Sequence, residues 1–591
     1  MPPRMQEDFS DLVSMWERCT TRFADRPLFA EKQGEGWVWH TYADVAQRVD
    51  AFRGALSALG VTRGDRVALI SDNRLEWAIT VHATLSLGAI YVPMYESQTH
   101  DDWRFILRDS QAKLVFGATR EIFGVLEGLQ PGIPTLEHVR CFDGAEQEPA
   151  SFAALLAAGR IAPRVLRVKP APGETAGFIY TSGTTGEPKG VVLTHKNFCS
   201  NVNALSDLFP LGPEDRSLAF LPWAHAFGQT AEFFLLPALG LSLAINDEVA
   251  KLVANLPDVK PTVLVAVPRI FNRIYDGVNQ QMRDKPKPIQ ALFHAGIRAA
   301  TRRSRGGTLG LGETLALKAA DKLIFKKVRQ KFGGRLRLVV SGSAALSKEV
   351  AEFIDALGIE VYEGYGLTET SPVVSVNTPG NRKIGSVGKA LPGVRIVIDT
   401  QVTGDPRNGE IVVHGDNLMQ GYHGRPEENA KIFTADGGLR TGDMGFVDED
   451  GYLFITGRIK EQYKLETGKY VVPSPLEEEL KLSPYIGNVM IYGANRPYNV
   501  ALVVLDPTNL AKWAEREGVT LGDPTQNPKV RELIKAELER CAKDFRSYER
   551  PKAFALLSED FTAGNGMLTP KMSVRRNRVI EHYSAVLDGL Y

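Results

Sequence analysis

The stretch TSGTTGEPKG, residues 181–190, puts three glycines, four hydroxyl side chains and one lysine within ten positions. Glycine lets successive backbone N–H groups turn towards one anion, hydroxyls add donors, and Lys189 supplies a point charge at the end of the loop. The chemistry this supports is the cradling of a phosphate chain. Apolar runs, GFIY before the loop and VVL after it, bracket it as strands, which sets it apart from a flexible glycine/serine linker. It is not a Walker A loop. No Gly-Lys-Ser/Thr stands at the required spacing, and a strand rather than a helix follows.

Further segments carry polar residues in apolar settings: LPWAHAFGQ (221–229), SGSAALS (341–347), EGYGLTET (363–370), TGD (441–443), GRIKEQYK (457–464) and LTPKMSVRR (568–576). Taken alone, each is weak. His225 beside Trp223 reads equally as a satisfied core histidine, and Glu369, Asp443 and Arg458 read singly as surface charges.

The elements that must position these groups follow from hydrophobic periodicity. WVWHTYADVAQRVDAFRGALSALG passes from strand-like alternation into a helix. RVALISDN reads as a buried strand, and LEWAITVHATLSLGAIYVPM as helix then strand. PTVLVAVP and LRLVVSGSA continue the rhythm, and the helix SKEVAEFIDALG stops at Gly358 as at a C-cap. This predicts an α/β fold with a large N-terminal domain of two helix-covered sheets. From about residue 385 short glycine-punctuated strands predict a small β subdomain over 385–456. A cut at Thr456–Gly457 leaves residues 1–456 as the large domain and 457–591 as a small, mobile α+β C-terminal domain.

Bulk properties narrow the function classes. The 591-residue chain exceeds what one core supports. Its 70 basic and 70 acidic residues balance, which argues against nucleic acid as a partner. Its four cysteines lack metal or disulfide spacing, as expected in a reducing cytosol. The acid-bearing N-terminus is unlike a signal peptide. The greasiest run, residues 231–245, is too short to span a bilayer and reads as a buried core helix. Between Arg298 and Arg337 stand twelve basic residues and two acids, Glu313 and Asp321. This is either a solvated helix face or a contact for an anionic membrane surface.

In their order along the chain, these segments resemble the motifs of the AMP-forming acyl-CoA synthetases of the adenylate-forming superfamily. YKLETGKYVVPSPLEEELKLSPYI resembles the long-chain fatty acid ligase branch, whose members work at membrane surfaces. The resemblance implies two half-reactions: a carboxylate attacks the α-phosphate of ATP, and coenzyme A then displaces AMP. It implies ATP, Mg²⁺ and coenzyme A as cofactors, with a fatty acid as substrate. Thr181, Ser182, Gly183, Thr184, Thr185, Gly186 and Lys189 would hold the polyphosphate, and Glu369 with Thr184 the metal. Ser343, Glu363, Gly364, Tyr365 and Gly366 would form the adenine side, with Tyr365 stacked on the base. Thr368 would touch the α-phosphate, Asp443 the ribose hydroxyls, and Arg458 the ribose or phosphate. Trp223, His225 and Phe227 would border the acyl site. A cytoplasmic location, peripheral at the membrane face through residues 298–337, is the matching expectation, and the branch is compatible with a homodimer. Ligases for aryl or medium-chain acids, or for a carrier-protein acceptor, share the same motifs.

The resemblance also assigns a catalytic lysine near the C-terminus, alongside Thr184, His225 and Glu369. Laying LTPKMSVRR on the branch pattern puts Ser573 at that position, with Lys571 two residues earlier and Arg575 two later. In an extended chain, residues two apart share a face about 7 Å apart. Lys571 is therefore the expected substitute, with Arg575 as an alternative. The third option is an adenylation-impaired nucleotide-binding protein.

Overall fold

The computed structural model describes residues 8–181, 187–401, 406–562, 564–568 and 574–591. Seven strands form one sheet in the order Gly421–Tyr422, Lys189–Thr194, Thr175–Thr181, Ile90–Met94, Arg66–Ile70, Leu114–Gly117, His138–Cys141. From Thr175–Thr181 to His138–Cys141 the pairing is parallel; the inner strands are almost wholly buried apolar runs flanked by helices, and the edge strand His138–Cys141 alternates buried and partly exposed residues. The last two strands at the other edge pair antiparallel, so the glycine-rich loop joins two antiparallel neighbours at the sheet's margin.

A second sheet runs Gly36–Thr41, Pro27–Gln33, Ser242–Ile245, Arg216–Ala219. A third runs Val263–Ala266, Leu338–Ser341, Glu360–Gly366, Val373–Val376, Lys389–Ala390. These two abut: the Thr262 N–H donates to the Arg216 carbonyl at 2.9 Å, and the Arg216 N–H to Thr262 Oγ1 at 3.0 Å. The pair thus serves as the second large sheet. The β subdomain is a four-stranded sheet of Arg395–Asp399, Gly409–His414, Leu439–Val447 and Leu453–Arg458. The cut placed at Gly457 falls inside its last strand, so Arg458 stays paired with Asp443 across the ladder.

Beyond it, Ile486–Tyr492, Asn499–Leu505 and Pro551–Leu557 form a three-stranded sheet with apolar clusters on both faces. One reading needs correction. Residues 231–245 are not one helix: a helical stretch from Gly228 ends at Ala238, and Ser242–Ile245 is a strand. Gly240, at φ 82°, makes the turn, and a side chain there would strike the Phe23 ring at 2.8 Å. Among the described residues no helix is long and apolar enough to cross a membrane.

Candidate active site

Thr181 and Lys189 face each other in the antiparallel ladder that opens the loop. Ser182, Gly183, Thr184, Thr185 and Gly186 lie outside the described residues. The helix that follows, His195–Leu208, is started by Thr194, whose hydroxyl accepts the Asn197 N–H in a capping box. This helix organises what faces the loop. Asn197 Nδ2 donates to the carbonyls of Asp416 and Leu418, both at 2.8 Å. Asn201 clamps Val373 through both its N–H (2.7 Å) and its carbonyl (3.2 Å). The segments holding Tyr422 and Glu369 are therefore tied to one buried helix.

The outcome is a linked set of side chains. Lys189 pairs with Glu428 and lies 5.2 Å above the Tyr422 ring. The Tyr422 hydroxyl donates to Glu369 Oε1 at 2.8 Å. Glu369 sits in the short turn Thr368–Thr370, held by the Met419 N–H on its carbonyl at 2.9 Å. The buried Thr368 leaves its hydroxyl without a partner among the described residues, as a group reserved for a ligand oxygen would.

Asp443, expected at the ribose, is 5% exposed. It accepts the Tyr365 hydroxyl at 2.7 Å, and Arg458 Nε approaches its other oxygen at 3.1 Å. Burial pushes the Asp443 carboxyl up, the Arg458 guanidinium pulls it back, and the charge of Glu369 adds a further push. Glu369 and Asp443 thus share one electrostatic neighbourhood. Tyr365 packs against Val374, Ile411, Val413 and Leu453, so part of its ring is committed to the core. Gly366 is required by packing: a Cβ there would lie 1.7 Å from the Pro372 carbonyl oxygen. Gly364 is milder, with its nearest such contact, Ser375 O, at 3.2 Å. Burial drives the Glu363 carboxyl up to about 7, although the backbone N–H groups of Gly385 and Leu346 favour its charged form. Ser343 is exposed at φ 70°.

Of the residues expected to border the acyl site, Phe227 lies against Gly342, where a Cβ would come within 2.9 Å of its ring. His225 is half-buried, and its Nδ1 accepts the Phe227 N–H at 3.2 Å. Trp223 is fully buried among Phe29, Trp77 and Phe233, with ring centroids 5.7, 5.4 and 5.0 Å away. The loop is pinned by Asn73, which accepts the Trp223 N–H and donates to the Leu221 carbonyl, both at 2.7 Å. Thr230 Oγ1 donates to the Ser371 carbonyl at 2.8 Å, joining this segment to the Glu369 turn. Glu232, fully buried on the same turn, has its carboxyl pushed well up by desolvation.

Lys571 and Ser573 lie outside the described residues. Leu568 and Val574 on either side bridge antiparallel, and the Arg575 N–H donates to the Met567 carbonyl at 2.7 Å. Arg575 is exposed and caps the helix Arg576–His582. The next residue, Arg576, pairs with the buried Glu477, which also accepts the Ile491 N–H at 2.6 Å. Sequence reasoning missed Tyr422, Glu428, Asn73, Glu232 and Glu477. Only the GYHGRPEEN context of the first two carried a detectable cue, a turn followed by a proline-started helix.

A hard cation needs oxygen ligands. Among the described residues no group of three or more His, Cys, Asp or Glu side chains could hold a metal. Glu369 offers a single half-buried carboxylate, which fits an ion held mainly by phosphate oxygens; Thr184, its expected partner, lies outside the described residues.

The fold and this site are those of an adenylate-forming enzyme. The AMP-binding enzyme family model matches residues 16–423, and the AMP-binding enzyme C-terminal domain model matches 460–591. The chain belongs to the AMP-binding enzyme family. It is 33% identical over 580 residues to the long-chain-fatty-acid–CoA ligase FadD15 of Mycobacterium bovis, covering 94% of this chain and 92% of that one. It is 31% identical to the peroxisomal long chain acyl-CoA synthetase 7 of Arabidopsis thaliana, over 94% of this chain and 82% of that one. The adenylation domain of a carboxylate reductase from Mycobacterium chelonae has the same fold, with a TM-score of 0.79 at 24% identity over 99% of this chain and 92% of that one.

Proposed function

We propose that this chain is an ATP-dependent long-chain fatty acid:CoA ligase, forming an acyl-adenylate and pyrophosphate, then acyl-CoA and AMP. What supports the long-chain assignment is the extent of likeness to relatives named for that activity: 33% identity over 94% of the chain. In this reading the 181–190 loop and Lys189 hold the β- and γ-phosphates, and Asp443 accepts the ribose hydroxyls in place of the Tyr365 hydroxyl and Arg458. Thr368 meets the α-phosphate, where charge builds in the transition state. Mg²⁺, held by Glu369 and Thr184, would neutralise phosphate charge. Lys571 serves adenylation from the C-terminal domain. Rotation of the C-terminal domain that follows Arg458 then removes it and admits the thiol.

The helical stretch from Leu311 to Lys331 supports peripheral membrane contact. Its inner face, Leu317, Ala320, Ile324, Phe325 and Val328, packs inward, close to Gly296 of the neighbouring helix. Its outer face carries Leu311 (88% exposed), Leu315 (68%) and Leu323 (52%) among the exposed Lys318, Lys322, Lys326 and Lys327. Apolar side chains among cations suit an anionic bilayer at the cytoplasmic face.

A shorter or aryl acid is a second reading, favoured by the tight aromatic packing around Trp223. A panel of palmitate, octanoate and benzoate in ATP–pyrophosphate exchange, followed by coenzyme A or a carrier protein as acceptor, separates the readings. Palmitate is expected to give the highest kcat/KM, and preference for benzoate would overturn the assignment.

A further inference from the structure

The cation that closes the phosphate loop already has an anion. Lys189 Nζ pairs with the Glu428 carboxylate, with the Tyr422 ring beneath it at 5.2 Å. The arrangement is built from both sides. The strand residue Tyr422 is locked to the helix Pro426–Ile432 by Asn429, which accepts the Tyr422 N–H at 2.7 Å and donates to its carbonyl at 3.1 Å. That strand is itself paired to the loop's own strand, Tyr422 opposite Val191, and the His423 N–H donates to the Gly190 carbonyl at 2.8 Å. Glu428 is therefore carried on the same sheet edge as Lys189. Its other oxygen, Oε1, lies 3.3 Å from Lys431 Nζ, so it keeps a cationic partner if Lys189 leaves.

We propose that Glu428 is an internal anion that occupies Lys189 until the polyphosphate of ATP displaces it, so that this residue sets how strongly the site favours triphosphate over monophosphate. The inference rests on the reading of Lys189 as a polyphosphate ligand. One ammonium cannot face both anions at full strength, so each ATP that binds must exchange the carboxylate for phosphate oxygens. AMP, which has no β- or γ-phosphate, leaves the pair intact. The same exchange in reverse helps expel pyrophosphate once the adenylate has formed, because Glu428 recaptures Lys189. The lowered pKa of Glu428, caused first by Lys189 and then by Lys431, keeps it ionised for this role.

The test is direct binding of MgATP and of AMP to the full-length protein and to Glu428→Gln, Lys189→Ala and the double variant. Glu428→Gln is expected to bind MgATP about two- to fivefold tighter, the range for a partly exposed ion pair, with AMP unchanged. In the Lys189→Ala background the Gln substitution is expected to change neither nucleotide. Unchanged or weaker MgATP binding by Glu428→Gln overturns the proposal, as does an equal shift for AMP. Exchange activity with palmitate, measured on the same unmodified protein, reports separately on the ligase reading, because nucleotide binding needs no acid.

Discussion

Asp443 is engaged twice, by the Tyr365 hydroxyl and by Arg458. Both are donors that ribose hydroxyls can replace without leaving the carboxylate unsatisfied. Hydrogen bonds to a charged group are each worth about 1.5–3 kcal/mol. Asp443→Asn is therefore expected to weaken AMP binding about ten- to a hundredfold, read by equilibrium titration; retention of affinity would remove Asp443 from the ribose site. Glu363 makes a pH prediction. Its folded carboxyl titrates near 7 rather than 4.5, so the fold favours its protonated form. Stability from this group is full below about pH 4.5 and falls as pH rises through about 7, by on the order of 3 kcal/mol. Glu363→Gln should flatten that part of the urea-midpoint profile against pH, and parallel profiles would contradict the shift. At this scale the sequence singled out Glu369, Tyr365 and Asp443, whose side chains the structure links into hydrogen-bonded pairs with Tyr422 and Arg458. It did not reveal Glu428, because two adjacent acids on a short helix look like ordinary solvated charge. It did not reveal Tyr422 either, whose role arises from a strand pairing some 230 residues distant in sequence, to Val191.

At the scale of elements, the strand–loop–strand around 181–190 was legible because apolar runs and glycine punctuation agree. The helix at 348–356 was legible for the same reason. The run 231–245 was not, because a continuous apolar stretch does not distinguish a buried helix from a helix, turn and buried strand. The C-terminal lysine is the harder case. Lys571 lies outside the described residues, and Arg575 stands at the N-cap of the helix Arg576–His582. This element is moored by Arg576 on the buried Glu477. Arg576→Ala strands that carboxylate, and is expected to destabilise the C-terminal domain by about 3–5 kcal/mol, seen as a lower unfolding midpoint of residues 457–591. Lys571→Ala is expected to abolish adenylate formation while turnover of supplied acyl-adenylate with coenzyme A survives. Arg575→Ala should leave both steps; loss of adenylation there would transfer the role to Arg575.

For the whole molecule, the turn Thr368–Thr370 after the third sheet's strand Glu360–Gly366 carries Glu369, and the β-subdomain strand Leu439–Val447 carries Asp443, the two groups between which the proposed function puts the nucleotide. The basic helical stretch lies apart in sequence, with Leu311, Leu315 and Leu323 turned out. Lys326→Glu with Lys327→Glu is expected to lower cosedimentation with phosphatidylserine vesicles and to spare binding of nucleotide; unchanged cosedimentation would leave that helix as solvated surface. The local bias of this segment was legible in the sequence although the chain's 70 basic and 70 acidic residues cancel globally; which of its side chains face outwards was not. In the proposed reaction a fatty carboxylate captures AMP beside the loop between Thr181 and Gly190. A single-turnover reaction with palmitate, ATP and Mg²⁺ but no coenzyme A, analysed by mass spectrometry, tests it most directly. The account predicts palmitoyl-adenylate and pyrophosphate from the unmodified protein, and a loss of at least about tenfold in rate with Lys189→Ala. Release of ADP and phosphate, or no palmitate-dependent pyrophosphate, would contradict it.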